Sequence, residues 1–130
     1  MKAIDVMNTP IVAASCKASA REVALYMLLG GFSGVPIVTA DGALVGIVTE
    51  LDLLRAVQED KPLEDVNVSD IMTREVVTVN VDTPVVEIMK IFASERILRV
   101  PVMKGNKIVG VVSRPDLLRA AVEPYFIRVG

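Results

Sequence analysis

The chain has no histidine and no tryptophan, and only one cysteine, Cys16, among its 130 residues. Without histidine, zinc sites of the Cys/His kind and His-based catalytic triads are excluded. One cysteine permits no intramolecular disulfide. With no histidine to activate it, Cys16 reads as a structural or incidental residue rather than a nucleophile. The carboxylates leave Mg²⁺ sites formally open, but no metal site is assigned. Long apolar runs are also missing. The most apolar stretch, residues 23–29, is followed at once by Gly30-Gly31, far short of the roughly 18 residues a membrane span requires. The opening MKAIDVMNTP carries Asp5 and Asn8 and lacks the apolar core of a signal peptide. The expectation is a soluble, cytoplasmic protein with no membrane contact. A basic excess is absent too: 14 Lys and Arg stand against 16 Asp and Glu. That balance disfavours nucleic acid as a partner, since a basic surface normally supplies most of that affinity. A local basic cluster would still suit a phosphate group.

What the chain does have is apolar surface. Hydrophobic residues make up 52% and charged residues 23%, which excludes a disordered tail. The mean hydropathy of +0.53 is high for a small monomer and predicts an apolar face covered by a partner.

An internal repeat organises the sequence. LVGIVTELDLLRAV (44–57) aligns with IVGVVSRPDLLRAA (108–121), and eight of the fourteen positions are identical. Upstream, GVPIV (34–38) matches RVPVM (99–103), and DVM (5–7) matches DIM (70–72). The offset is 65 residues up to that point and 64 afterwards, so one residue is lost in a turn, where length changes are tolerated. The copies occupy residues 1–60 and 68–123, with a charged, Pro62-interrupted linker at 61–67 and a tail at 124–130.

Each copy reads as strand, helix, strand, strand, helix, an α/β pattern. The β-branched residues at 11–14 and 76–79 predict opening strands. Val23, Ala24, Met27 and Leu28, and likewise Val85, Ile88, Met89 and Phe92, recur at helical spacing. Ser19 with Glu22 fits a capping box, and Thr83-Pro84 fits an N-cap followed by proline at the first helical position. Gly30-Gly31 supplies a C-terminal stop. Asp41-Gly42 and Gly105-Asn106 predict hairpin turns, and short amphipathic helices run from Asp52 to about Gln58 and from Asp116 to about Val122. A copy of about 55 residues buries little surface alone, so the two are expected to pack through their sheets with pseudo-twofold symmetry.

The order of a DIM-like opening, strand, helix, x-V-P-h-V, hairpin and G-h-h-[ST]-x-x-D, occurring twice, resembles the cystathionine-β-synthase-type (CBS) repeat. A pair of them resembles a Bateman module. The resemblance covers nearly the whole chain, from about Met1 to Val122. It implies a regulatory module, often a homodimer, whose two clefts bind adenosine-type ligands: AMP, ADP, ATP or S-adenosylmethionine. No cofactor is implied, and an unidentified effector protein is a further expected partner. Carried over, the first cleft takes Ile47, Thr49 and Asp52 with Met72, Val77, Leu98 and Arg99. The second takes Val111, Ser113, Arg114 and Asp116 with Met7, Val12, Ser33 and Gly34.

Two readings of these motifs stand together. Thr49 and Ser113 fit N-caps, with Asp52 and Asp116 closing capping boxes, which needs no ligand. The same helix N-termini suit phosphate or ribose oxygens, and an aspartate there can accept from both ribose hydroxyls. Arg99, whose counterpart is Gly34, is either a loop charge or a fork of donors for a phosphate; the two clefts are therefore expected to differ. The acids sit in cap positions with no base or nucleophile paired to them, so the chain is not read as an enzyme. The alternative function is a protein-interaction module with no nucleotide.

Overall fold

The computed structural model describes residues 1–122; the tail read at 124–130 lies outside the described residues. In chain order the elements are α1 (Ala3–Val6), β1 (Ala14–Ser15), α2 (Ala20–Gly30), β2 (Gly34–Val38), β3 (Leu44–Thr49), α3 (Glu50–Gln58), β4 (Val79–Asn80), α4 (Val85–Ser94), β5 (Arg99–Lys104), β6 (Lys107–Ser113) and α5 (Arg114–Val122). Two 3-10 turns, Leu63–Asp65 and Val68–Asp70, lie between α3 and β4. The fold is α/β with two three-stranded sheets, ordered β1-β2-β3 and β4-β5-β6. The outer pairs β1–β2 and β4–β5 are parallel, and the hairpin pairs β2–β3 and β5–β6 are antiparallel.

The opening strands are shorter than the β-branched pattern predicts. β1 pairs only Ala14 with Ile37 and Ser15 with Val38, and β4 pairs only Val79 with Val102 and Asn80 with Met103. One residue earlier, each parallel register reaches Pro36 or Pro101. Proline has no N–H to offer a neighbouring strand, so pairing begins just beyond it. The closing helices begin at Glu50 and Arg114, two residues before the aspartates, which therefore stand in the first turn.

Caps explain the first helices. Ser19 accepts from the Glu22 amide and Glu22 reaches back to Ser19, a complete capping box. Gly31 ends α2 in the left-handed conformation at φ 69°, its N–H bonded to the Met27 carbonyl, as a C-terminal glycine permits. In the second copy the N-cap is Pro84, not Thr83, and it makes no side-chain cap bond. The Thr83 hydroxyl instead accepts from the Asn80 amide at 2.9 Å, closing the turn after β4. Both first helices thus start at equivalent positions, Ala20 and Val85.

The chain divides into two compact units that do not coincide with the repeats. Val12–Val76 form one, and Met1–Ile11 with Val77 onward form the other. In the first unit Ala20, Val23, Met27, Val35, Ile37 and Val48 pack with Val66, Val68 and Met72. Val66, from the segment read as linker, is thus core, and Val68 and Met72 belong to the second repeat by sequence. In the second unit Ala3 packs with Val79, Val85, Ile88, Val100, Val102, Val112 and Leu117. Each sheet is completed by a lead-in segment, the stretch around DVM or DIM, from the other repeat. Burying a side chain such as Ile37 or Ile88, each fully inaccessible, stabilises its unit by about 1.5–3 kcal/mol.

Candidate functional site

The lead-in segments dock on the free edges of β3 and β6. Thr73 exchanges backbone hydrogen bonds with Ile47 at 2.8 and 2.9 Å, and Asn8 does so with Val111 at 2.9 and 3.3 Å. Close approach requires glycine at the adjoining positions. A Cβ on Gly46 would lie 2.7 Å from Met72 Sδ and 2.9 Å from the Thr73 carbonyl oxygen; one on Gly110 would meet Met7 Sδ and, at 2.9 Å, Met7 Cγ. The first residue of the G-h-h-[ST] motif thus serves docking, and the paired edge is shielded from stray strands.

This docking delivers a side chain to each predicted aspartate. Asp52 and Asp116 are the buried charged residues of the described chain, each 6% exposed. Asp52 Oδ2 accepts from the Thr49 amide at 2.8 Å and the Thr49 hydroxyl at 2.9 Å. Thr49 Oγ1 accepts from the Asp52 amide at 3.3 Å, which completes the capping box. The Thr73 hydroxyl reaches both carboxylate oxygens, at 3.1 and 3.2 Å. Asp116 Oδ2 accepts from the Ser113 amide at 2.8 Å, the Ser113 hydroxyl at 2.7 Å and the Asn8 side-chain amide at 2.6 Å. Its Oδ1 accepts from the Arg119 guanidinium at 3.1 Å. Burial alone raises the Asp116 pKa, but the bonds from the Ser113 hydroxyl and amide, Arg119 and Asn8 outweigh it and hold the carboxyl below its ordinary value.

The unit of residues 12–76 brings together Ile47, Thr49, Asp52 and Met72, along with Ser33 and Gly34. The Ser33 carbonyl accepts the first amide of α3 at 3.2 Å, and Gly34 pairs with Thr49 across β2–β3. Val12 is 55% exposed and borders a concavity of about 400 Å³ with Lys17, Glu22, Tyr26 and Val35. The other unit brings together Met7, Val111, Ser113, Arg114 and Asp116, along with Leu98 and Arg99. Arg99 pairs with Ser113 across β5–β6, and the Leu98 carbonyl accepts the Arg114 amide at 3.4 Å. Leu98 and Val77 are exposed. The Arg99 Nε is buried and has no hydrogen-bond partner among the described residues.

Sequence reasoning missed Thr73, Asn8 and Arg119. A signal for the first two existed, because both follow the methionine of the DIM and DVM motifs and are therefore equivalent. Nothing local says that a residue 21 or 108 positions away completes a carboxylate's shell. Among the described residues no three His, Cys, Asp or Glu side chains cluster as metal ligands, and no helix is long and apolar enough to cross a membrane.

The doubled sheet, the glycine beneath each methionine and the aspartate in each closing helix are the marks of a tandem module. The CBS domain family matches residues 3–59 and 68–123, and the chain belongs to that family. It is 34% identical over 125 residues to protein MK0525 of Methanopyrus kandleri, spanning 95% of this chain and 63% of that protein. It is 31% identical over 116 residues to L-aspartate semialdehyde sulfurtransferase of Methanocaldococcus jannaschii, spanning 88% of this chain but 22% of the enzyme. The chain therefore covers less than two thirds of either relative. Among solved structures, the CBS domain pair of protein MJ0100 in complex with 5′-methylthioadenosine and S-adenosyl-L-methionine superposes with a TM-score of 0.80. It is 29% identical, and the match covers 95% of this chain and 98% of that one.

Proposed function

We propose that this chain is a regulatory module that senses an adenosine-type ligand: AMP, ADP, ATP or S-adenosylmethionine. The observation that carries the reading is the pair of buried carboxylates in the first turns of α3 and α5. A carboxylate there faces two hydroxyls of a ribose with two acceptor oxygens. Ile47, Thr49 and Met72 would line the first half-site, with Val77 and Leu98 among the apolar residues against the base and Arg99 on the phosphate side. Val111, Ser113, Arg114 and Met7 would line the second, with Val12, Ser33 and Gly34. Arg99 supports the reading, because a buried guanidinium nitrogen without a partner is a costly donor that an anion would satisfy. The ligands of the MJ0100 pair are of the same chemical class.

The module would act in the cytoplasm as a homodimer, changing an effector protein's activity when ligand binds. Exposed leucines on the helices support a partner surface: Leu28 is 79% exposed, Leu29 88%, Leu54 61% and Leu118 67%. The same surface would serve an interaction module that uses no nucleotide.

Calorimetry with adenosine and AMP tests the assignment, with light scattering on the same samples for about twice the 14.0 kDa chain mass. Asp52→Asn should weaken both ligands by about 1–3 kcal/mol. Arg99→Ala should weaken AMP and leave adenosine nearly unchanged. Equal losses for both ligands in Arg99→Ala would reassign Arg99 to packing. Absence of binding by adenosine, AMP, ATP and S-adenosylmethionine would leave the interaction module as the better reading.

A further inference from the structure

We propose that Thr73 and Asn8 are built-in competitors for the carboxylate faces a ribose would use, so that an adenosine-type ligand fills the Asp52 half-site before the Asp116 half-site. This rests on the adenosine reading above and adds to it an order of occupancy and the residues that set it.

A vicinal diol offers two O–H donors and needs two free acceptor positions on the carboxylate. Each oxygen carries two lone pairs. At Asp52 the two short bonds from Thr49 both fall on Oδ2 and belong to the helix cap. Oδ1 receives only the Thr73 hydroxyl among the described residues, and that single proton is shared between both oxygens at 3.1 and 3.2 Å. The bond is long, neutral and divided, and Thr73 is itself exposed, so water can solvate the hydroxyl once it is displaced. A diol therefore opens Asp52 at the loss of one weak bond.

Asp116 is held differently. Three donors converge on Oδ2, the shortest from Asn8 at 2.6 Å. Oδ1 is occupied by a charged partner, Arg119, at 3.1 Å. Oδ1 keeps one lone pair, so the second diol hydroxyl must displace the Arg119 guanidinium or donors crowded on Oδ2, and bonds to ionised donors are the stronger ones. The repeat does not impose this difference. Arg55 occupies the position of Arg119 within the same DLLRA motif, yet the Asp52 carboxylate takes no bond from it.

The test is calorimetric titration of AMP and of 2′,3′-dideoxy-AMP, which has no diol, into wild type, Thr73→Val, Thr73→Ser and Arg119→Met. Thermal melting first confirms that each variant is folded. Wild type should show one stronger AMP site, weakened in Asp52→Asn. Thr73→Val removes the competitor and should tighten that site about fivefold, the equivalent of one ordinary hydrogen bond. Thr73→Ser keeps the hydroxyl and should match wild type, and the dideoxy analogue should bind wild type and Thr73→Val alike. Arg119→Met should strengthen the weaker site severalfold while leaving the stronger one unchanged. Two equal sites in wild type, or unchanged or weaker AMP binding in folded Thr73→Val, would overturn the order of filling and leave the adenosine reading intact. No AMP, ATP or S-adenosylmethionine binding by any of the proteins would overturn both.

Discussion

The unit around Asp52 and the unit around Asp116 share one backbone plan and differ in what their carboxylates are given to hold. Sheet order, hairpin register and even the irregularity after Ile37 and Val102 correspond. In each, a Thr or Ser cap holds the aspartate and a docked segment adds one more donor. Around Asp52 that donor is a hydroxyl; around Asp116 it is an amide, joined by an arginine. The Arg99 nitrogen, buried and without a partner among the described residues, has Gly34 as its counterpart. The comparison teaches that duplication reproduces the acceptor and the frame, while a few donor substitutions decide how available each acceptor is.

The largest effect should come from removing the carboxylates. Asp116→Ala strands donors from Ser113, Asn8 and Arg119 and should cost about 3 kcal/mol in urea unfolding. Asp52→Ala strands only Thr49 and Thr73 donors and should cost about 2 kcal/mol. Equal costs would mean that the extra donors of Asp116 contribute nothing. Next are the docking glycines. Gly46→Ala drives a methyl against a backbone carbonyl, which cannot swing aside, and should cost about 3 kcal/mol. Gly110→Ala meets the Met7 side chain first and should cost about 1 kcal/mol. A reversed order in chemical denaturation would show that the segment at Asn8 is the more rigid one.

The smallest effect concerns acid. The folded-state pKa of Asp116 is lowered, so its stabilisation is complete above the ordinary carboxylate range near about pH 4. It disappears as pH falls through the folded value, because the unfolded chain then binds the proton more readily. Asp116→Asn should therefore flatten the acid limb of stability against pH, measured by urea melts from pH 7 down to 2.5. An acid limb as steep as that of wild type would place the linkage on other carboxylates.

Much of this was legible in the sequence because it is local. The Ser19–Glu22 box, the Gly31 stop and the two hairpins depend on neighbours a few residues apart, and the closing aspartates announce themselves at the third position after Thr49 or Ser113. The opening strands were overextended because apolar alternation says nothing of the partner strand, where Pro36 and Pro101 withhold a donor. Thr83 looked like a cap, but its hydroxyl has a nearer task in the turn at Asn80. The partners of the carboxylates were hidden for a different reason. They arrive from the other repeat, and alignment marks positions 8 and 73 as equivalent without revealing that Asn and Thr point at an acid.

The exchange of lead-in segments makes the two halves of this polypeptide mutually dependent. A cut within residues 58–61 would not release two self-sufficient repeats. The fragment ending there would lack Val66, Val68 and Met72, which fill its core, and would carry Ala3 and Met7, which belong to the other sheet. The remaining fragment would have the reciprocal surplus and deficit. Each piece thus holds the missing part of its counterpart, so a nick is survivable only while the fragments stay together. A gene encoding one repeat alone would specify a molecule that must find a second copy before its sheet edge is covered.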